Sequence, residues 1–252
     1  MIKELTDLVI IIDVDTELYR YKDDVIEGLN LLIDSQKIGV GKLNLTTVLV
    51  SDNIVYTHNR YDVVNTQNVT ADIFDDSKPT KLGNVINWDN GHYRFVCTER
   101  DKEEYFIEAV NKIMKYIETS HTYIEEVEYA DPNMIQEYDL IGKEKNAAGH
   151  TMIAIISNKW SSIYRFQLAI KLGPIMNYYY DTRNWDFLLL GNIPTNLEIL
   201  TKYYRLNEEC FKNYDLRSQT VKIFECINNQ VTNLRKSKIT FRERKEVNFN
   251  VL

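Results

Sequence analysis

Acidic side chains at alternate positions follow an unbroken apolar run near the start of the chain. The apolar run covers residues 8–12, and it is followed at once by Asp13 and then, at alternate positions, by Asp15 and Glu17. Carboxylate oxygens are the ligands that hard cations such as Mg²⁺ and Ca²⁺ prefer in proteins. Acids near the start of a helix are also stabilised by its dipole, so a solvated strand-to-helix turn is the alternative interpretation. The residues alone leave the cation site and the solvated turn equally open.

The apolar run predicts where these acids lie in the fold. Five consecutive apolar residues are enough for one buried strand and too few to cross a bilayer. Such strands are typical of the centre of a parallel sheet, because both faces are covered by helices. Open α/β sheets bind ligands at the carboxyl ends of their strands. We therefore expect the acids at the ligand-binding edge of a sheet.

Helices and strands are predicted to alternate along the rest of the chain. Residues 63–73 are predicted as a short strand or a connection, and Gly173-Pro174 is predicted to end or kink a helix. This alternation predicts an α/β fold: a Rossmann-like three-layer sandwich with a central, mostly parallel sheet flanked by helices. The further predicted strands cover 43–53, 54–62, 152–156 and 185–190, with 54–62 as a possible hairpin partner of 43–53. The predicted helices cover 22–35, 103–117, 162–172, 197–204 and 215–234.

The length and charge of the chain limit its organisation and its partners. It has 252 residues and a net charge of −7. One domain over 1–252 is the simplest prediction, with a polar, irregular insertion at about 119–150 and a basic tail at 235–252. The negative charge argues against nucleic acid as a partner. The tail is predicted as a solvated or frayed terminus, with a phosphate-binding arm as the alternative.

Cysteine spacing and hydropathy indicate the compartment. Cys97, Cys210 and Cys226 are odd in number and have neither disulfide nor metal-binding spacing, which fits a reducing compartment. We expect no secretory signal, since no cationic region precedes the short first apolar run. No apolar stretch is long enough to span a bilayer, so no membrane association is expected. The expected location is cytoplasmic, or the host cytoplasm or virion if the protein is viral.

Four segments together carry a family resemblance. Each is individually loose, and the last, Trp-Asp-Phe-Leu-Leu-Leu-Gly-Asn, is the most specific because it resembles a Trp-Glu-Phe-x-Phe-Leu-Gly-Ala segment. The segments are 10–17, 45–52, 152–159 and 185–192. With these segments in this order, the chain resembles von Willebrand factor A-type domains, particularly the compact intracellular type of bacteria and phages. The resemblance implies the same three-layer fold and a metal-ion-dependent adhesion site.

The implied metal site departs from the family pattern, which uses an Asp, two Ser, a Thr and a second Asp. Asp13 matches the first Asp, Asp15 and Glu17 replace the two Ser, and Asn158 replaces the second Asp. A more anionic site would hold a cation more tightly but would weaken its attraction for an acidic partner. We therefore expect a degenerate site with no cofactor, or with Mg²⁺ or Ca²⁺ if it is intact.

The remaining implied residues lie on a partner-binding rim. Thr80 and Thr98 are both candidates for the family Thr, and the sequence does not choose between them. Lys159 raises the possibility that an ammonium group takes the place of the ion. The resemblance implies a non-enzymatic protein–protein interaction module that binds a protein partner of unknown identity through the rim at the strand carboxyl ends.

A different class of function is also compatible with the first motif. Asp13 and Asp15 match the nucleophile and general acid-base of haloacid dehalogenase-like, magnesium-dependent phosphatases. Ser157 could bind phosphate, and Lys171 could supply the required lysine. The required acidic pair is missing after residue 190, where the chain has Gly191-Asn192. A third alternative is a structural component of a virus or phage particle, which would assemble into an oligomer or a symmetric array.

Overall fold

One six-stranded sheet forms the centre of the protein. The computed structural model describes residues 2–14, 18–51, 54–74, 102–128, 148–161, 165–195 and 197–236. The strands within these residues are β1 (Ile2–Asp13), β2 (Lys42–Val50), β3 (Ile54–Asp62), β4 (Ala148–Ile156), β5 (Asp186–Gly191) and β6 (Phe211–Asn213). Their order in the sheet is β3-β2-β1-β4-β5-β6.

The strand that carries the acidic motif lies inside the sheet, as predicted. β1 pairs in parallel with both β2 and β4, and β5 and β6 continue the parallel order. β3 pairs with β2 antiparallel, which confirms the predicted hairpin. Residues 8–12 are all 0% exposed. Full burial of one such side chain contributes roughly 1.5–3 kcal/mol, so this run fixes β1 inside the sheet.

Helices cover both faces of the sheet. The helices are α1 (Lys22–Lys37), α2 (Lys102–Glu128), α3 (Arg165–Thr182), α4 (Glu198–Tyr204) and α5 (Thr220–Lys236). Alternate side chains of β1 enter opposite layers: Val9 and Ile11 pack with α2, α3 and α4, whereas Leu8, Ile10 and Ile12 pack with α1 and α5. This arrangement confirms the three-layer α/β sandwich with a mostly parallel sheet.

The predicted irregular insertion is partly wrong. Residues 119–128 continue α2, and residues 148–150 belong to β4, whereas 129–147 lie outside the described residues. The polar residues near the predicted helix end are held by a neighbouring helix. Glu118 accepts hydrogen bonds from Arg183 Nε at 2.8 Å and from the Tyr179 hydroxyl at 3.2 Å. These contacts, made with α3 and with the residue that follows it, stabilise the continuation of α2 in a region where the polar sequence had predicted a loop.

Gly173-Pro174 was predicted to end or kink the helix, and the predicted end is wrong, because α3 continues through both residues. A proline inside a helix removes the hydrogen bond to the carbonyl four residues earlier, here that of Ile170. Ile170 and Pro174 are both on the exposed side, where water can solvate this carbonyl. A Cβ on Gly173 would lie 2.5 Å from the carbonyl oxygen of Tyr203. The pair therefore permits close packing of α4 and does not end the helix.

Residues 63–73 form a connection with 3-10 turns, which is one of the two predicted alternatives. Two smaller differences concern the elements after β5. The last helix begins at Thr220, because Asp215 forms a turn in which its carboxylate accepts from Arg217 N–H at 3.0 Å. β6, which has three residues, was not predicted. Such short segments depend on their neighbours more than on their own periodicity.

The first residue of the basic tail has a structural role. Arg235 lies in α5, and its guanidinium donates to the backbone carbonyls of Gln36, Val40 and Gly41 at 2.7–2.9 Å. It also donates to the Gln36 side-chain oxygen at 2.6 Å. Arg235 therefore fastens the loop between α1 and β2 to the last helix. Residues 237–252 of the tail lie outside the described residues.

Candidate functional site

The carboxyl ends of β1 and β4 bring an acid and a hydroxyl together. Asp13 is the last residue of β1, and Ser157 directly follows β4. Ile12 and Ile156 are partners in the parallel register, so the residues after them are neighbours. Both Asp13 and Ser157 are buried. The Ser157 hydroxyl donates to Asp13 Oδ2 at 2.5 Å.

An ammonium group binds the same carboxylate. Lys159 Nζ lies 2.6 Å from Asp13 Oδ1 and 2.5 Å from Oδ2, so both oxygens accept from one cation. The lysine side chain is 13% exposed and that of Asp13 is 5% exposed. The same ammonium lies 4.9 Å from the centre of the Phe106 ring in α2, within the range of a cation–π contact. The predicted rim lysine thus directs its charge inward, towards Asp13.

Backbone contacts hold this lysine in position. The Lys159 N–H donates to the Ser157 hydroxyl at 3.0 Å, and the Ser157 N–H donates to the carbonyl of Leu190 at 3.0 Å. Lys159–Ser161 form a 3-10 turn that carries Trp160. The buried indole of Trp160 donates to the same Leu190 carbonyl at 2.9 Å. The turn after β4 is therefore tied to the end of β5 by two hydrogen bonds.

A glycine makes this close approach possible. Gly191 ends β5 with φ +131°, a conformation that residues with side chains rarely adopt. A Cβ at this position would lie 2.1 Å from the carbonyl oxygen of Ser157. The sequence placed Gly191 where the phosphatase alternative lacks its acidic pair, and it did not predict the contact of Gly191 with the turn after β4. The glycine at a strand end, together with the tryptophan after β4, was the available signal.

The predicted metal ligands are only partly described. Asp15, Glu17, Thr80 and Thr98 lie outside the described residues. Asn158 is half-buried and adjoins Ser157 in the chain. Within the described ranges, no group of three or more His, Cys, Asp or Glu side chains is placed to hold a metal ion.

The described residues do not fit a divalent cation while Lys159 is in place. A hard cation would bind the carboxylate oxygens of Asp13, and the ammonium already contacts both. Two positive charges at this distance from one carboxylate repel each other strongly in a buried site. Lys159 and a metal ion are therefore alternative occupants of the same position.

The lysine named for the phosphatase alternative lies elsewhere. Lys171 Nζ is 2.7 Å from Glu104 Oε1, in an ion pair between α3 and α2 whose side chains are 47% and 52% exposed. The prediction that Lys171 serves the site is wrong, because this pair holds its ammonium at the surface. The lysine at Asp13 is Lys159.

Two further findings concern the helices and the cysteines. In the part of the chain that the structure describes, no helix is both long enough and apolar enough to cross a membrane. The two described cysteines, Cys210 and Cys226, are free thiols, the first buried and the second partly exposed.

Comparisons with known proteins show distant structural similarity. No protein-family model matches the chain, and no curated protein matches it significantly. Solved structures that resemble it include the N-terminal domain of TFIIH p34, at 13% identity and a TM-score of 0.46, covering 88% of this chain and 97% of that one. Another is the mussel byssus proximal thread matrix protein 1, in two crystal forms at 8% identity and TM-scores of 0.41 and 0.43.

These similarities are too weak to support a statement about function. Each match to the mussel protein covers 90% of this chain but only 46% of that protein, so this chain corresponds to less than half of its length. The fold class therefore rests on the sheet order and the two helical layers described above.

Proposed function

We propose that this chain is a non-enzymatic protein-interaction module of the von Willebrand factor A-like type. It binds a protein partner through the rim at the strand carboxyl ends. The observation that carries the proposal is the occupation of Asp13, whose two carboxylate oxygens accept from Lys159 and one also from Ser157.

This occupation disfavours catalysis at the most suggestive motif. A carboxylate nucleophile must present one oxygen to the phosphorus atom it attacks. A magnesium-dependent phosphatase also needs the same acid to bind the ion. Asp13 is almost fully buried and is engaged by an ammonium and a hydroxyl. Both requirements therefore compete with contacts that the folded protein already makes.

The geometry of the rim favours binding. The parallel strands β1, β2, β4, β5 and β6 end at one edge, where α/β proteins place their ligand-binding loops. The turn after β4 presents the exposed residue Ser161 at this edge. Its neighbour Trp160 anchors the turn to β5. A loop held in this way loses little conformational entropy on binding.

A matched pair of variants tests the rim. Ser161→Arg adds a long charged side chain at the rim, and Asn65→Arg adds the same side chain near the end of the antiparallel strand β3, at the opposite edge. For a partner captured by the full-length protein, we expect Ser161→Arg to weaken binding roughly tenfold or more, or by about 1.4 kcal/mol. Asn65→Arg leaves the affinity unchanged. Equal affinities for both variants would place the partner elsewhere.

Two assays separate this proposal from its alternatives. Hydrolysis of an aryl phosphate in the presence of Mg²⁺, abolished by Asp13→Asn, would establish the phosphatase and overturn the non-enzymatic proposal. Light scattering after size-exclusion chromatography distinguishes a small adaptor from a component of a particle. A large closed oligomer at micromolar concentration would favour the particle.

A further inference from the structure

We infer that the ammonium of Lys159 is the resident cation of this site, so that the site requires no divalent metal ion. The resemblance to von Willebrand factor A-type domains implies a metal at Asp13, and the contacts described above disagree with that implication. The inference concerns what fills the site. It therefore stands or fails independently of whether the rim binds a protein.

The first support is the geometry of the charge pair. The Lys159 ammonium contacts both oxygens of Asp13, at 2.6 and 2.5 Å. A calcium or magnesium ion would take the same oxygens at roughly 2.0–2.6 Å. The lysine thus supplies a positive charge at the place where a metal would supply one. The lysine side chain reaches the carboxylate from a position three residues beyond the end of β4.

The second support is the way in which the lysine is held. Its ammonium packs over the ring of Phe106, and its backbone N–H donates to Ser157. Trp160, the next residue, is buried and hydrogen-bonded to Leu190. A metal ion could enter only by expelling a largely buried ammonium from the carboxylate and from an aromatic ring. This costs the favourable contacts of the lysine as well as the hydration of the metal.

The third support is local charge. A divalent ion in the von Willebrand factor A-type site remains electrophilic towards an acidic partner because most of its ligands are neutral. At Asp13 the lysine and the aspartate carry one charge each and compensate one another. Such a pair has little charge left to attract an acidic residue of a partner. We therefore expect the rim to recognise its partner without a bridging metal.

Chemical labelling of lysines in the unmodified, full-length protein tests the inference directly. Lys171 is the matched control, since it is also ion-paired but is 47% exposed, against 13% for Lys159. With an amine acylating reagent and mass spectrometry, we expect Lys159 to react roughly tenfold or more slowly than Lys171. Millimolar Mg²⁺, Mn²⁺ or Ca²⁺ leaves that ratio unchanged. Equal reactivity, or faster labelling of Lys159 when a cation is added, would overturn the inference.

Thermal melting gives a second, independent readout. A cation present at a hundred times its Kd would raise the Tm by roughly 5–10 °C for a domain of this size. We expect no such rise for the wild-type protein with Mg²⁺, Mn²⁺ or Ca²⁺. A rise that Asp13→Asn abolishes would overturn the inference, whereas a rise that persists in Asp13→Asn places the cation elsewhere and supports it. If Asp13→Asn does not fold, the labelling ratio decides.

Discussion

Replacing Lys159 by methionine removes the ammonium from Asp13 while keeping an unbranched side chain. At 2.6 Å and an effective dielectric constant of about 20, the attraction between the two charges is roughly 6 kcal/mol. Desolvation of both ions offsets most of it, so the pair itself contributes little net stability. Removing one partner is different, because the buried carboxylate then loses the contact with the Lys159 ammonium. We expect a loss of about 3–5 kcal/mol.

The Ser157 hydroxyl, which the variant retains, places the loss of stability towards the lower end of this range. Ser157 still donates to Asp13 in the variant, so the carboxylate keeps this hydrogen bond. The corresponding fall in Tm is roughly 6–20 °C for a chain of this length. Asp13→Asn removes the opposite charge, and the double variant removes both. The double variant is expected to be more stable than the sum of the single losses predicts, with a coupling energy of about 1–3 kcal/mol.

Urea unfolding followed by tryptophan fluorescence and by circular dichroism measures these energies. Coincident transitions by the two probes establish that the two-state treatment applies. Lys171→Met is the control, since it breaks an exposed, solvent-screened pair with Glu104 and is expected to cost far less than Lys159→Met. A loss for Lys159→Met no larger than for the control, with additive single losses, would refute the account of a buried, coupled pair.

The remaining predictions concern three positions that support the fold. Gly191→Ala is expected to cost about 3–5 kcal/mol in urea unfolding, because the new Cβ meets the Ser157 carbonyl and φ is +131°. Arg235→Gln is expected to cost about 1.5–3 kcal/mol by removing charged hydrogen bonds to the loop after α1, whereas exposed Lys236→Gln is neutral within about 0.5 kcal/mol. Burial lowers the pKa of the His58 imidazole below its usual value of 6.5, against the opposing effect of its hydrogen bond to a backbone carbonyl. Below about pH 6.5, His58 is protonated in the unfolded chain but stays neutral in the folded protein. The free energy of unfolding therefore falls as the pH drops through this range, by up to about 1.4 kcal/mol per pH unit. His58→Gln is expected to remove this part of the slope, and an unchanged slope would contradict the assignment to His58.

The sequence by itself determined the α/β layers and the position of Asp13. Residues 8–12 are apolar without interruption, and only a strand covered on both faces can bury them all. The hairpin of β2 and β3 and most of the helix in 22–37 also followed from local pattern. These features are encoded locally, because the period of apolar side chains reports which face of an element is covered.

Tertiary structure decided the chemistry at the end of β1. Asp13 and Lys159 are 146 positions apart in the chain, and only the parallel pairing of β1 with β4 brings them together. The sequence singled out both residues but could not establish their contact or the support from Trp160. Tertiary contacts also kept α2 helical beyond residue 119 and let α3 continue through Pro174. The reason is that each of these features depends on a group distant in sequence or on solvent. Lys159 provides the charge partner of Asp13, and the contacts of Glu118 with Arg183 and Tyr179 hold α2. Water can solvate the carbonyl of Ile170, whose helical donor Pro174 removes.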